Sequence, residues 1–152
     1  MSKITPFLWF NTNGEEAMKF YTSVFKESSM SSTMPGPDGK LMGGSFVLNG
    51  QEFMFLNGGP TYKFNEAVSF FIKCKNQNEV DYYWNALTAD GGEESMCGWL
   101  KDKYGVSWQV IPDALSEYIG DSDSEKSGRA LQAMLKMKKI DVAELKKAHD
   151  GA

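Results

Sequence analysis

Apolar and polar positions alternate in blocks along this chain, and the blocks repeat. Ile4 to Phe10 (ITPFLWF) is a dense apolar run that predicts a strand, and Glu15 to Phe25 follows with apolar residues at helical spacing. Residues three and four apart share one side of a helix, so Ala17, Phe20, Tyr21 and Val24 are expected to form its buried face. The same order returns as Ala67 to Cys74 (AVSFFIKC), a strand, and Asn78 to Leu87, a helix with Val80, Tyr83, Trp84 and Leu87 inward. An offset of 63 places Glu16 on Glu79, Phe7 on Phe70, Phe20 on Tyr83 and Val24 on Leu87. A repeat of this kind organises the whole fold.

Short extended segments follow each helix. In the first half they are Ser28 to Met34, Leu41 to Leu48 and Gln51 to Leu56, separated by Pro35-Gly36-Pro37-Asp38-Gly39 and by Asn49-Gly50, a hairpin dipeptide. In the second half they are Glu93 to Met96, Gly98 to Lys101 and Val106 to Ile111, with Asp102 to Gly105 as the tight turn shaped by Asp102. Each half therefore reads as βαβββ, with modules at about residues 3–57 and 66–112 and Gly58-Gly59-Pro60 at the joint. Beyond Pro112 a helical tail is expected over about 122–149, with Asp123-Ser124 capping one helix and Asp141 with Glu144 starting the last. Its lysines read as a solvated face, and the sole histidine, His149, as a surface residue of a mobile end.

Composition narrows the function. The chain has 152 residues, 41% of them apolar, enough to bury a core in one domain. A net charge of -4 with a pI near 5.0 argues against a nucleic-acid partner, which calls for a basic face. The N-terminal stretch Met1 to Phe10 is too short for a signal core or a membrane span, so a cytoplasmic protein with no membrane partner is expected. The two cysteines, Cys74 and Cys97, lack redox or zinc spacing and read as reduced thiols.

Two βαβββ units, the Phe20-Tyr21 pair on the first helix and the Asp102 to Gly105 turn before the last strand resemble the vicinal-oxygen-chelate superfamily of glyoxalases, ring-cleaving dioxygenases and bleomycin-resistance proteins. The stretches NGGP at Asn57 to Pro60, Phe64 to Ala67 and, above all, CGWLKDKYGVSWQVIP from Cys97 to Pro112 look like its PhnB-like branch, often labelled 3-demethylubiquinone-9 3-methyltransferase. The resemblance implies an α+β fold in which two modules form a curved mixed-sheet cup, here with a C-terminal helical extension. It also implies one metal-ligand position on the first and last strand of each half. The repeat puts these at Pro6, Met54, Ser69 and Gln109. Proline has no side-chain donor, and neutral Met, Ser and Gln suit zinc, nickel or iron poorly, so no metal and no cofactor are expected. The glycine-rich strand–turn–helix of a conventional adenosylmethionine methyltransferase is also missing from the sequence.

Strand alternation from those four positions sends Leu8, Phe10, Glu52, Leu56, Phe71, Ser107 and Ile111 into the same cup, and Phe7, Trp9, Phe53, Phe70 and Trp108 under the helices. Phe10, Met54, Leu56, Ser69, Phe71, Trp99, Ser107 and Gln109 are the expected ligand-binding residues. The main reading is a metal-independent small-molecule-binding protein, homodimeric as relatives commonly are. The alternative is an enzyme of the same fold acting on a small oxygenated substrate, with Cys97 as nucleophile or Glu52 as general base. A third possibility is a partner protein acting through its basic tail.

Overall fold

A computed structural model describes residues 2–152; Met1 lies outside it. The chain divides into two compact units meeting at Phe64 and Asn65. Among the described residues no helix is long and apolar enough to cross a membrane.

The first unit runs β1 (Phe7–Phe10), α1 (Gly14–Val24), β2 (Ser29–Pro35), β3 (Leu41–Leu48) and β4 (Gln51–Asn57). Its mixed sheet has the order β1-β4-β3-β2, with β1 parallel to β4 and the remaining pairs antiparallel. Asn49 and Gly50 both take positive φ (46° and 82°), as a two-residue hairpin between β3 and β4 requires. Ala17, Met18, Tyr21 and Val24 of α1 are buried, and Tyr21 stacks on Phe46, which stacks on Phe53.

The second unit repeats this order with β5 (Ser69–Cys74), α2 (Gln77–Thr88), β6 (Glu93–Glu94), β7 (Trp99–Lys101) and β8 (Ser107–Pro112), its sheet ordered β5-β8-β7-β6. The expected inner face of α2, Val80, Tyr83, Trp84 and Leu87, is buried. The Asn76 side chain accepts the Glu79 N–H (3.0 Å) and Glu79 accepts the Lys75 N–H (2.7 Å), a capping box. The Asp102 carboxylate, itself buried, accepts the backbone N–H groups of Tyr104 and Val106 and the indole N–H of Trp108. It thereby fixes both the turn and the strand leaving it.

After β8 the chain forms three helices: α3 (Asp113–Ile119), α4 (Ser124–Met134) and α5 (Val142–Asp150). Asp123 and Asp141 cap α4 and α5 as expected; α3 was not anticipated. The tail is not a mobile appendage. Ile140 and Leu145 are fully buried in a cluster with Ile111 and Leu115, and Cys97 and Gly98 donate their N–H groups to Met137 (2.7 Å) and Lys138 (2.8 Å). Gln77 ties the same stretch to α2 through the Ile140 carbonyl and the Val142 N–H. His149 is likewise buried, not a surface residue. Its ring contacts Asp121 (2.8 Å) and Asp150 (3.3 Å) and lies over Tyr118.

Candidate functional site

Register decides which strand residues reach the face away from α1 and α2. In the second unit Phe70, Ile72 and Cys74 pair with Trp108, Val110 and Pro112. Ile72, Cys74, Trp108, Val110 and Pro112 of this set are buried. The opposite face carries Ser69, Phe71, Ser107, Gln109 and Ile111, continued onto β7 by Trp99 opposite Gln109 and Lys101 opposite Ser107. The face assignment made from the sequence holds throughout this unit.

In the first unit it fails on β1. Phe10 is only 2% exposed and meets Phe55 and Phe64 edge-on, and Leu8, paired with Phe55, is buried. Phe7 and Trp9 pair instead with Met54 and Leu56, on the other face. Phe10 and Leu8 are therefore core, and Phe7 and Trp9 take the positions expected of them. The cause is the connection to the helix, three residues from β1 to α1 and two from β5 to α2. An offset of 63 is right for the helices, but the strands need 64, because Phe7 pairs with Met54 as Phe71 pairs with Gln109. The first-half counterpart of Ser69 is accordingly Thr5, not Pro6. A one-residue slip moves every side chain of a strand to the other face.

The corrected positions do not suit a transition metal better. Threonine, methionine, serine and glutamine supply no imidazole, carboxylate or thiolate. In the second unit the two satisfy each other, the Gln109 amide donating to the Ser69 hydroxyl at 2.9 Å. Glu52 is exposed, without the apolar enclosure that its general-base role calls for. Met54 is also exposed and Leu56 half-buried.

Within the second unit a cavity of about 310 Å³ opens between this sheet face and the tail helices. Phe71, Trp99, Gln109 and Ile111 line it from the strands, Leu115, Ser116, Ile119 and Met134 from α3 and α4, and Cys97 from the loop before β7. Its lining is apolar and aromatic with one amide, one hydroxyl and one thiol, the make-up of a small-molecule pocket. Cys97 has φ of 59° and Gly98 of 83°. A side chain at Gly98 would meet Ile111 and Ile140 as well as a strained backbone, so glycine is required for the double bend that sets Cys97 in the wall. A polar hollow of about 130 Å³, lined in part by Ser107 and Lys101, shares Trp99 with this cavity. The structure thus gathers Phe71, Trp99, Gln109 and Cys97 around one space, with Ser69 bonded to Gln109. Ser107 falls in the adjoining hollow, and Phe10, Glu52, Met54 and Leu56 belong to the other unit. The tail residues of the wall were missed; the apolar spacing of Leu115 and Ile119, four apart, was the available signal.

The family described as 3-demethylubiquinone-9 3-methyltransferase matches residues 2–111. Among solved structures, a PhnB protein of Bacillus cereus bearing that methyltransferase name is 36% identical, covering 73% of this chain and 99% of its own, with a TM-score of 0.68. A Pseudomonas aeruginosa protein is 22% identical (74% and 98% covered, TM-score 0.60). The fosfomycin resistance protein FosX of Listeria monocytogenes is 17% identical (76% and 94% covered, TM-score 0.54) and shares the fold. No match was found among curated protein sequences.

Proposed function

Since the chain belongs to the 3-demethylubiquinone-9 3-methyltransferase family, in its PhnB-like branch, we propose that it binds a small organic molecule without a metal, in the cavity between β5, β8 and the tail helices. The carrying observation is that cavity: two aromatic side chains, Phe71 and Trp99, flank a wall whose polar groups are one amide, one hydroxyl and one thiol, from Gln109, Ser116 and Cys97. The family name denotes methyl transfer. Such chemistry usually rests on a doubly wound parallel sheet that cradles adenosylmethionine, whereas each sheet here is four-stranded and mixed. We derive no methyl-transfer step.

A second reading, catalysis on the bound molecule, is favoured by one observation: Cys97 places a thiol in the cavity wall. The sole histidine is engaged by Asp121 and Asp150, so any activation of that thiol has to come from elsewhere. The same proposal takes the protein to act in the cytoplasm as a homodimer; exposed Phe7 and Met54, paired on β1 and β4, supply apolar surface for association.

Native mass spectrometry of untagged protein from its host reads oligomer mass, metal and retained ligand together. We expect a dimer carrying an organic ligand and no stoichiometric transition metal. Ile119→Trp should fill the cavity and abolish binding of a neutral aromatic probe such as 2-phenylethanol while the fold survives. Near-stoichiometric metal, or unchanged binding in that variant, would refute the proposal. Turnover of the ligand that Cys97→Ser abolishes without loss of binding would establish the catalytic reading.

A further inference from the structure

Ser107 is 2% exposed, and its hydroxyl oxygen has no hydrogen-bond partner among the described residues. A buried hydroxyl left unpaired is costly, so one standing at the wall of an open space marks where a partner belongs. The hollow it lines is shared with Glu66, Glu93, Glu94, Ser95, Trp99 and Lys101. Glu66 and Glu93 accompany the one ammonium, whereas Glu94 pairs with Leu100 and turns to α2. Lys101 is neutralised by Glu66 at 2.5 Å, and this pairing holds the Glu66 carboxyl below its ordinary range and raises the Lys101 ammonium. Glu94 accepts the Trp84 indole N–H at 2.8 Å. Glu93 sits opposite Lys101 across β6 and β7. The hollow therefore carries surplus negative charge and an acceptor oxygen, which suits a cationic N–H donor and opposes an anion.

Ser107 and Gln109 are two residues apart on one face of β8, and Trp99 lines both spaces. Two residues of strand span roughly 7 Å, a reach that a small molecule covers. We infer that the hollow beside Ser107 takes the ammonium group of a small primary amine whose apolar body occupies the cavity lined by Phe71, Trp99 and Met134. The inference rests on the binding site proposed above and names the class of its ligand.

Three probes with one aromatic body test it: 2-phenylethylamine, 2-phenylethanol and phenylacetate. Each is titrated into the full chain while the Trp99 indole and Gln109 amide NMR signals are followed. The amine should bind about tenfold more tightly than the alcohol, as a charge-assisted hydrogen bond warrants, and phenylacetate no better than the alcohol. Ser107→Ala should remove most of that tenfold, and Glu93→Gln should weaken the amine but not the alcohol. Equal binding of amine and alcohol, a preference for the carboxylate, or an amine indifferent to Ser107→Ala would overturn the inference and leave the cavity itself standing. No response from any of the three would remove both.

Discussion

Replacing Asp102 tests whether one buried carboxylate holds the strand that carries Ser107 and Gln109. Its Oδ1 accepts the N–H groups of Tyr104 (2.8 Å) and Val106 (3.1 Å), and its Oδ2 accepts the Trp108 indole N–H (2.8 Å). Val106 and Trp108 are both buried, so in Asp102→Ala two donors lose their acceptor where water does not readily replace it. At roughly 1–3 kcal/mol for each unsatisfied buried donor, the loss comes to about 4 kcal/mol. Asp102→Asn keeps one oxygen for the two backbone groups but turns an N–H2 toward the indole N–H. That variant forfeits one charge-assisted bond and should lose about 2 kcal/mol. Urea unfolding followed by tryptophan fluorescence measures both, with an unchanged slope as the sign that the native fold persists. Trp108→Phe removes the donor instead, and combined with Asp102→Asn it should cost less than the two single changes summed. Losses under about 0.5 kcal/mol in both Asp102 variants would refute the reasoning, because surface substitutions alone produce that much.

Ile140→Ala, at a fully buried tail position, should destabilise the protein by about 3 kcal/mol and lower its Tm by roughly 10 °C in calorimetry, whereas a loosely attached tail would leave both unchanged. Burial, with Glu79 and Asp113 nearby, pushes the Cys74 thiol up to about 12, so iodoacetamide at pH 8 should modify one cysteine per folded chain, Cys97, and a cavity occupant should slow it. Asp121 is held below its ordinary range by the Asp123 backbone and then His149, and Asp150 by Lys146 and then His149. Depressed carboxyls stabilise above the unfolded value, near pH 4, and that contribution is lost as pH falls through their folded values. Amide signals of α5 should accordingly broaden or shift below about pH 4, and less so in Asp121→Asn.

Much of this molecule was legible in its residues. The helical spacing of Val80, Tyr83, Trp84 and Leu87 gave the buried face of α2, Asn49-Gly50 gave the hairpin, and alternation along β5 and β8 gave the face that carries Phe71, Ser107 and Gln109. Alternation on β1 was not readable, because ITPFLWF is apolar at nearly every position and parity there is set by pairing with β4. The repeat was anchored on its helices, where it is strict, and so carried the extra connecting residue unnoticed into the strands. Helix α3 escaped because DALSEYI spans only seven residues directly after Pro112. The burial of His149 depends on Asp121, 28 positions away, a contact no local pattern encodes.

The cavity has two origins within the chain. Phe71, Trp99, Gln109 and Ile111 fall inside the stretch common to the family, which ends at residue 111, while Leu115, Ser116, Ile119 and Met134 come after it. If the proposed binding holds, ligand preference can therefore drift by exchange of a terminal cassette while the strands beneath stay as they are. Two members with interchangeable sheets need not accept the same molecule, and grafting these helices onto a shorter relative offers a direct way to transplant selectivity.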